Sequence, residues 1–296
     1  MEIVPVGPGF AAELRGVQMA DVARRPALYQ AVRAAFEEHS VLVLRDQRYT
    51  DQEQVDFSAC FGPLELTKVQ SLGEGTHFSI LTNYDFEKGG GAVVPPGHRE
   101  TLVARANQLW HTDSSFKPIP ALASVLSART IPTAGGETEF ASTRLAWARL
   151  DPALRARLEN AYAEHAYAHS RGKIDPNLAT TVENDALPPV RWRMAWRNPA
   201  NGRLALYVAS HAFAIDGMAR DAAQALLARL IDDATRPEVT YLHRWRAGDA
   251  VMWDNRAILH RGRPWPDDQP RHMVRTTISA TDADGLDYVR PAVAAA

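Results

Sequence analysis

The feature that most constrains the fold is the recurrence of short apolar, β-branched runs between turn residues, with helical periodicity confined to a few stretches. Val4 to Asp21 alternates apolar patches with Gly7, Gly9 and Gly16, which predicts two strands joined by turns. Ser40-Val41-Leu42-Val43-Leu44-Arg45 predicts a buried strand. Further strand-like pieces follow at Gln108 to Thr112, Ala123 to Ala128, Gly136 to Phe140, Ala205 to Ala209, Val239 to Trp245, Ala250 to Trp253 and His272 to Ser279. Helical spacing is carried by Leu28, Val32, Ala35 and Phe36 over Pro26 to His39, and Thr50-Asp51-Gln52-Glu53-Gln54 opens a second helix with capping residues that ends near Phe61-Gly62-Pro63. Ser142 to Ala163, striped by Leu145, Leu150, Leu154 and Leu158, and Arg220 to Ala234 predict two more, with a loop over Arg171 to Pro189. Many short strands with a few helices outside them predict an α+β fold whose core is a double-sheet jelly roll, a double-stranded β-helix with flanking helices. No repeat, tail or linker interrupts residues 1–296, so a single domain is expected. The Gly-rich, irregular stretch of about residues 64–106, with Gly89-Gly90-Gly91 and Pro95-Pro96-Gly97, is the candidate active-site lid.

Composition narrows the function by exclusion. Basic residues number 33 and acidic residues 35, for a net charge of -2, and no basic run exceeds short pairs such as Arg24-Arg25, so no nucleic-acid partner is expected. No segment approaches the roughly 18 uncharged apolar residues of a membrane span. Met1-Glu2-Ile3-Val4-Pro5 lacks the basic-then-apolar layout of a signal peptide, which leads to an expected cytoplasmic location. Cys60 is the sole cysteine, so a metal site must be built from His and carboxylate, and Cys60 itself reads as packing at a helix end.

The most informative segment is Asn107-Gln108-Leu109-Trp110-His111-Thr112-Asp113-Ser114-Ser115-Phe116. In an extended chain residues two apart project to the same face, so His111 and Asp113 can converge on one ion. His260, at the end of Asp254-Asn255-Arg256-Ala257-Ile258-Leu259-His260, can complete a set of two imidazoles and one carboxylate, the facial triad of non-haem Fe(II) oxygenases. Gly135-Gly136-Glu137-Thr138 adds a hydroxyl on a strand, and Arg271 and Arg275 lie four apart beyond His260. A co-substrate that chelates iron at one end and carries a second carboxylate at the other would use a guanidinium there. The alternative is that His260 packs in a strand and the arginines are solvated. On ligand count alone a Zn²⁺ hydrolase with a His₂-carboxylate set is also compatible, as is a metal-binding jelly-roll scaffold without turnover.

These residues resemble the taurine dioxygenase and 2,4-dichlorophenoxyacetate dioxygenase family (TauD/TfdA), whose pattern is His-x-Asp, a distal His and Arg beyond that His. The resemblance runs from Gly16-Val17 through Val41-Leu42-Val43-Leu44-Arg45-Asp46-Gln47 and Phe61-Gly62-Pro63-Leu64 to Arg275. Trp110 to Phe116, Gly136 to Phe140 and Gly248 to Arg256 resemble the herbicide-degrading, aryloxyalkanoate branch more than the taurine branch. The resemblance implies that His111, Asp113 and His260 bind Fe(II), that Thr138 and Arg271 hold the distal carboxylate of 2-oxoglutarate, and that Arg275 meets the substrate's anionic group. It implies a dioxygenase using Fe(II), 2-oxoglutarate and O₂ to hydroxylate a small anionic substrate, with succinate and CO₂ formed. An aryloxyacetate-type carboxylate would be cleaved to a phenol and glyoxylate; the alternative is a taurine, alkylsulfonate or alkyl sulfate dioxygenase. No catalytic side chain is expected beyond the metal ligands. Lys68, Asn107, His211 and Phe116 are further candidates for substrate contact, Phe116 as an aromatic wall. The expected partner is a small anionic molecule, and a homo-oligomer is left open.

Overall fold

The computed structural model describes residues 1–85 and 92–291. Strands β1 (Glu2–Pro5) and β2 (Ala11–Arg15) lead into helices α1 (Met19–Arg24) and α2 (Pro26–His39), then β3 (Val41–Leu44), α3 (Asp51–Ala59), β4 (Ser79–Thr82) and α4 (Arg99–Ala106). The middle holds β5 (Ala121–Thr130), β6 (Thr138–Ser142), α5 (Thr143–Arg149), α6 (Pro152–Glu159), β7 (Tyr162–His165), α7 (Tyr167–Gly172) and α8 (Thr181–Ala186). Short strands β8 (Val190–Arg193), β9 (Ala195–Arg197), β10 (Leu204–Leu206) and β11 (Ala212–Ile215) precede α9 (Arg220–Ala234). The chain ends with β12 (Thr240–His243), β13 (Ala250–Asp254), β14 (Ile258–Gly262), β15 (His272–Ser279) and α10 (Leu286–Val289).

This is a mixed helix and sheet architecture in which antiparallel pairing dominates. The large sheet orders β1-β2-β3-β13-β5-β15-β4, and a smaller one orders β12-β6-β14. Side-chain alternation explains how they stack. From β3, Leu42 and Leu44 join Phe36, Phe57 and Met252 in a core under the helices, whereas Val41 and Val43 join Val251, Trp253, Phe140 and Ile258 between the two sheets. With both faces of the large sheet covered, β3 and β13 are apolar at nearly every position, as a doubly buried strand requires. The same alternation turns Arg275 of β15 and Ser124 of β5 toward the inter-sheet space, while Thr276 meets Ser58 of α3 on the outer face at 2.7 Å. Trp147, Met194, Leu206 and Leu227 form a further core beneath α9. Among the described residues no helix is long and apolar enough to cross a membrane.

Helices α2 and α9 run over the expected residues, and α3 begins with a reciprocal capping box between Thr50 and Glu53. Other expectations are corrected. Gln108 to Thr112 is not a strand: His111 alone pairs, as an isolated bridge to His260. The expected helix over Ser142 to Ala163 breaks at Leu150 and Asp151, both non-helical (ψ 144° and 138°); Pro152 keeps the residue before it out of the helical region, and Asp151 caps α6. Its last residues lie in β7. The expected loop over Arg171 to Pro189 contains the end of α7 and all of α8, whose Thr180 and Glu183 form another capping box. The stretch 64–106 is not irregular throughout, since β4 is stitched to β15 and α4 closes it; Gly89-Gly90-Gly91 lies outside the described residues. Cys60 caps α3 and is only partly buried.

A buried charge cluster ties α2 to the turn between β13 and β14. Arg256, 2% exposed, donates to Asp254 at 2.9 Å and to Glu37 at 2.8 Å, and Glu37 also accepts from Asn198 at 2.6 Å. Burial alone would raise the Glu37 carboxyl pKa, but Arg256, Arg33 and Asn198 together bring it below its ordinary value. Removing one member strands the other charges in a dry interior. Glu37→Ala is expected to lower stability by about 3 kcal/mol, read from urea unfolding midpoints. A change under about 1 kcal/mol would show that this cluster does not anchor the turn.

Candidate active site

Two backbone hydrogen bonds join the segments that carry the imidazoles. The His111 N–H donates to the His260 carbonyl at 3.0 Å, and the His260 N–H returns to the His111 carbonyl at 2.8 Å. A pair that exchanges both bonds puts its side chains on the same side, and the two rings lie 4.2 Å apart between centroids. After Thr112 the chain turns, with Ser114 in the left-handed region (φ 56°), and Asn255 fixes that turn. Thr112 Oγ1 donates to the Asn255 carbonyl at 2.6 Å, the Asp113 N–H donates to Asn255 Oδ1 at 3.0 Å, and Trp253 Nε1 donates to the same Oδ1 at 3.0 Å. Asn255 Nδ2 donates to Ser124 Oγ at 3.0 Å, leaving the Ser124 hydroxyl to donate to Asp113 Oδ2 at 2.6 Å.

The result is a convergent donor set. One ligand atom from each of His111, Asp113 and His260 lies within 4.8 Å of the others, and all three residues are buried. Asp113 Oδ1 stands 3.9 Å from His111 Nε2, and Oδ2 stands 3.7 Å from His260 Nε2. His111 Nδ1 sits 2.7 Å from the Leu109 carbonyl, a contact that requires the proton on Nδ1 and leaves the Nε2 lone pair for a metal. Burial pulls His111 down to about 4 and His260 well below the usual imidazole range. For Asp113 burial acts upward, but Arg275, the two imidazoles and Ser124 outweigh it and hold the carboxyl ionised. Two neutral imidazoles and one carboxylate suit a borderline divalent ion such as Fe(II), with coordination positions left open.

Two cavities meet at this cluster. One is lined by Leu126, Thr138, Trp253, His260, Trp265 and Arg271, and both reach His111 and Arg275. Arg271 is 7% exposed, donates to the Gly136 carbonyl at 3.2 Å and lies over the Trp265 ring at 5.0 Å. Among the described residues its buried Nε has no partner, and burial lowers its pKa to about 10. Gly136 makes room for it: a Cβ there would stand 3.2 Å from Arg271 Nε, at a backbone φ of +72°. Thr138 Oγ1 accepts from Trp245 Nε1 at 3.0 Å, so its own hydrogen remains to donate.

The other cavity lies beneath residues 65–81 and between α4 and α7, and Lys68, Asn107, Phe116 and His211 all line it. Lys68 is already ion-paired with Glu183 and lies over the Tyr167 ring. Asn107 Oδ1 accepts from Arg171 at 3.3 Å, and Phe116 packs between Tyr167 at 5.0 Å and His211 at 4.8 Å. His211 Nδ1 faces Ser115 Oγ at 3.4 Å. Arg275 donates to Asp113 Oδ1 at 2.5 Å, so it touches the donor set as well as both cavities. Sequence reasoning missed Ser124, Asn255, Trp265, Tyr167 and Arg171. Asn255, polar at the end of an apolar run, was open to suspicion; Arg171 fell in a segment read as loop and carried no such signal.

The model of the family described as "Taurine catabolism dioxygenase TauD, TfdA family" matches residues 2–277. The chain is 35% identical to an alpha-ketoglutarate-dependent 2,4-dichlorophenoxyacetate dioxygenase of Cupriavidus pinatubonensis, over 92% of this chain and 96% of the relative. It is 33% identical to an (S)-phenoxypropionate/alpha-ketoglutarate-dioxygenase of Sphingobium herbicidovorans, over 95% and 96% respectively. Among solved structures, AAD-2 in complex with Mn(II) and N-oxalylglycine superposes with a TM-score of 0.85 at 35% identity, covering 95% of this chain and 98% of that one.

Beside the site, His165 is fully buried and burial alone lowers its pKa to about 3. Below about pH 6.5 the unfolded chain therefore binds a proton that the folded state excludes, so stability is full above that pH and declines as pH falls toward 3. Between pH 7 and pH 5, above the main carboxylate range, the metal-free protein is expected to lose about 2 kcal/mol from this imidazole alone. Guanidinium unfolding at the two pH values measures it, and His165→Gln should narrow the gap; equal stability of the wild type at both pH values would contradict a buried neutral His165.

Proposed function

The chain belongs to the taurine catabolism dioxygenase TauD, TfdA family, and on that premise we propose that its substrate is a small aryloxyacetate-type carboxylate, cleaved to a phenol and glyoxylate. It is a 2-oxoglutarate-dependent dioxygenase that works with Fe(II). The observation that carries the reading is the buried His111, Asp113 and His260 donor set opening onto a cavity lined by the buried guanidinium of Arg271. A donor set of this kind suits Fe(II), and a buried Arg271 with an unpartnered Nε suits the far carboxylate of a dicarboxylic co-substrate. We read the two stacked sheets as a double-stranded β-helix in a single domain, with the residues of about 64–106 covering the substrate chamber.

In this arrangement His111, Asp113 and His260 hold the iron, and Arg271 with the Thr138 hydroxyl holds the distal carboxylate of 2-oxoglutarate. Bound Fe(II), with 2-oxoglutarate as reductant, supplies O₂ activation for inserting one oxygen atom into a C–H bond, with succinate and CO₂ released. The chain's part is orientation. Asn255 and the His111–His260 backbone pair keep the donors in place before anything binds, and the buried Trp253 and Leu126 give the inner cavity an apolar wall. Phe116 and Tyr167 offer an apolar wall to an aromatic ring, and Arg275 presents a cation at the metal side of the chamber. Hydroxylation of the carbon between ether oxygen and carboxylate gives a hemiacetal that breaks its C–O bond to the phenol and glyoxylate. The relatives named for phenoxyacetate and phenoxypropionate support this choice over a sulfonate.

Incubating the Fe(II)-loaded protein with 2-oxoglutarate, O₂ and either phenoxyacetate or taurine is expected to release phenol matched one to one by succinate. Sulfite from taurine with no phenol would overturn the substrate assignment. Arg271→Ala is expected to raise the KM for 2-oxoglutarate roughly 10- to 100-fold, the worth of a charge-assisted contact, with a much smaller change in the KM for the organic acid. Steady-state kinetics with each substrate varied in turn reads this, and a defect confined to the organic acid would show that Arg271 does not hold the co-substrate.

A further inference from the structure

Five cations line the substrate chamber, and four of them are in contact with a carboxylate. Lys68 and Arg99 share Glu183, Lys117 is paired with Glu65 at 2.6 Å, and Arg275 is paired with Asp113. Arg171 differs from all of these. It is 7% exposed, and among the described residues its hydrogen bonds go to neutral groups, Asn107 Oδ1 at 3.3 Å and Ser170 Oγ at 3.5 Å. Its Nε is buried with no partner. The guanidinium lies 4.7 Å over the Tyr167 ring, so stacking holds its plane while leaving donors unused.

A buried cation without a counter-charge is costly, and the cost is relieved when an anion binds beside it. Position adds to the argument. Asn107, which Arg171 contacts, accepts from the Gly262 N–H at 3.0 Å, two residues beyond the ligand His260. His211, which shares the chamber with Arg171, also has a buried nitrogen, Nε2, without a partner among the described residues. We propose that Arg171 receives the carboxylate of the organic substrate, with Arg275 as the second arm of the clamp on the metal side. Lys68, committed to Glu183, closes the chamber wall and is not the principal anion contact. The inference rests on the aryloxyalkanoate reading above and deepens it by naming the residue that selects for an acid.

Arg171 also packs against Tyr167 and Asn107, so the test must separate charge recognition from packing. The protein loaded anaerobically with Fe(II) and 2-oxoglutarate is titrated with phenoxyacetate and with its uncharged amide, which reads binding independently of turnover. The wild type is expected to bind the acid more tightly than the amide. In Arg171→Met the acid should lose roughly 10- to 100-fold in affinity while the amide changes little, and Arg171→Lys should recover part of the loss. Should the Met variant fail to fold, Arg171→Gln is read in its place. Unchanged acid affinity, or equal loss for acid and amide, overturns the proposal. A wild type that binds the acid through Arg171 but releases no phenol sinks the cleavage reading and leaves the anion anchor standing, whereas a wild type that binds neither compound sinks both.

Discussion

Everything at the site depends on one short backbone pairing, the two hydrogen bonds between His111 and His260. They are not part of a longer ladder at His111, whose neighbours leave the sheet at once. A single bridge of this kind has little stability of its own, and it persists because its flanks are fixed by other means. Asn255 holds the Thr112-Asp113 turn with both its backbone and its side chain, Trp253 holds Asn255, and the buried Arg256, Asp254 and Glu37 cluster holds the turn on which Asn255 sits. The donor set is thus prearranged by a chain of satisfied polar groups in a dry interior, where each would be expensive to leave unpaired.

Charge is distributed with the same economy. Around the outer chamber Lys68, Arg99 and Lys117, all partly buried, are held by carboxylates, which fixes them and weakens their appetite for another anion. Arg271 and Arg171, one lining each of the two cavities that meet at His111, differ in that among the described residues no carboxylate pairs with them. Two cavities, each with a guanidinium still open to a carboxylate, match a reaction that brings together two organic anions at one metal. The absence of a side chain at Gly136 belongs to this design, since any Cβ would press on Arg271.

Local sequence determined a good deal. The ends of α2 and α9 follow from periodicity and flanking residues, α3 from its capping box, and the doubly buried strands β3 and β13 from unbroken apolar runs, because each of these signals acts over a few neighbouring residues. The His111, Asp113 and His260 set and the arginines beyond it were legible as residue types in a pattern shared with a known family. What only the tertiary structure decided is how these groups are committed. The extended geometry first assumed for Gln108 to Thr112 is absent, and Asp113 reaches its partners through a turn held by Asn255, far along the chain. Likewise nothing near Lys68 or Arg171 in sequence indicates that Glu183 pairs with the former while, among the described residues, the latter has no carboxylate. Residue type and spacing are properties of the chain, but whether a buried charge is paired depends on which distant side chains folding brings within 3 to 4 Å of it.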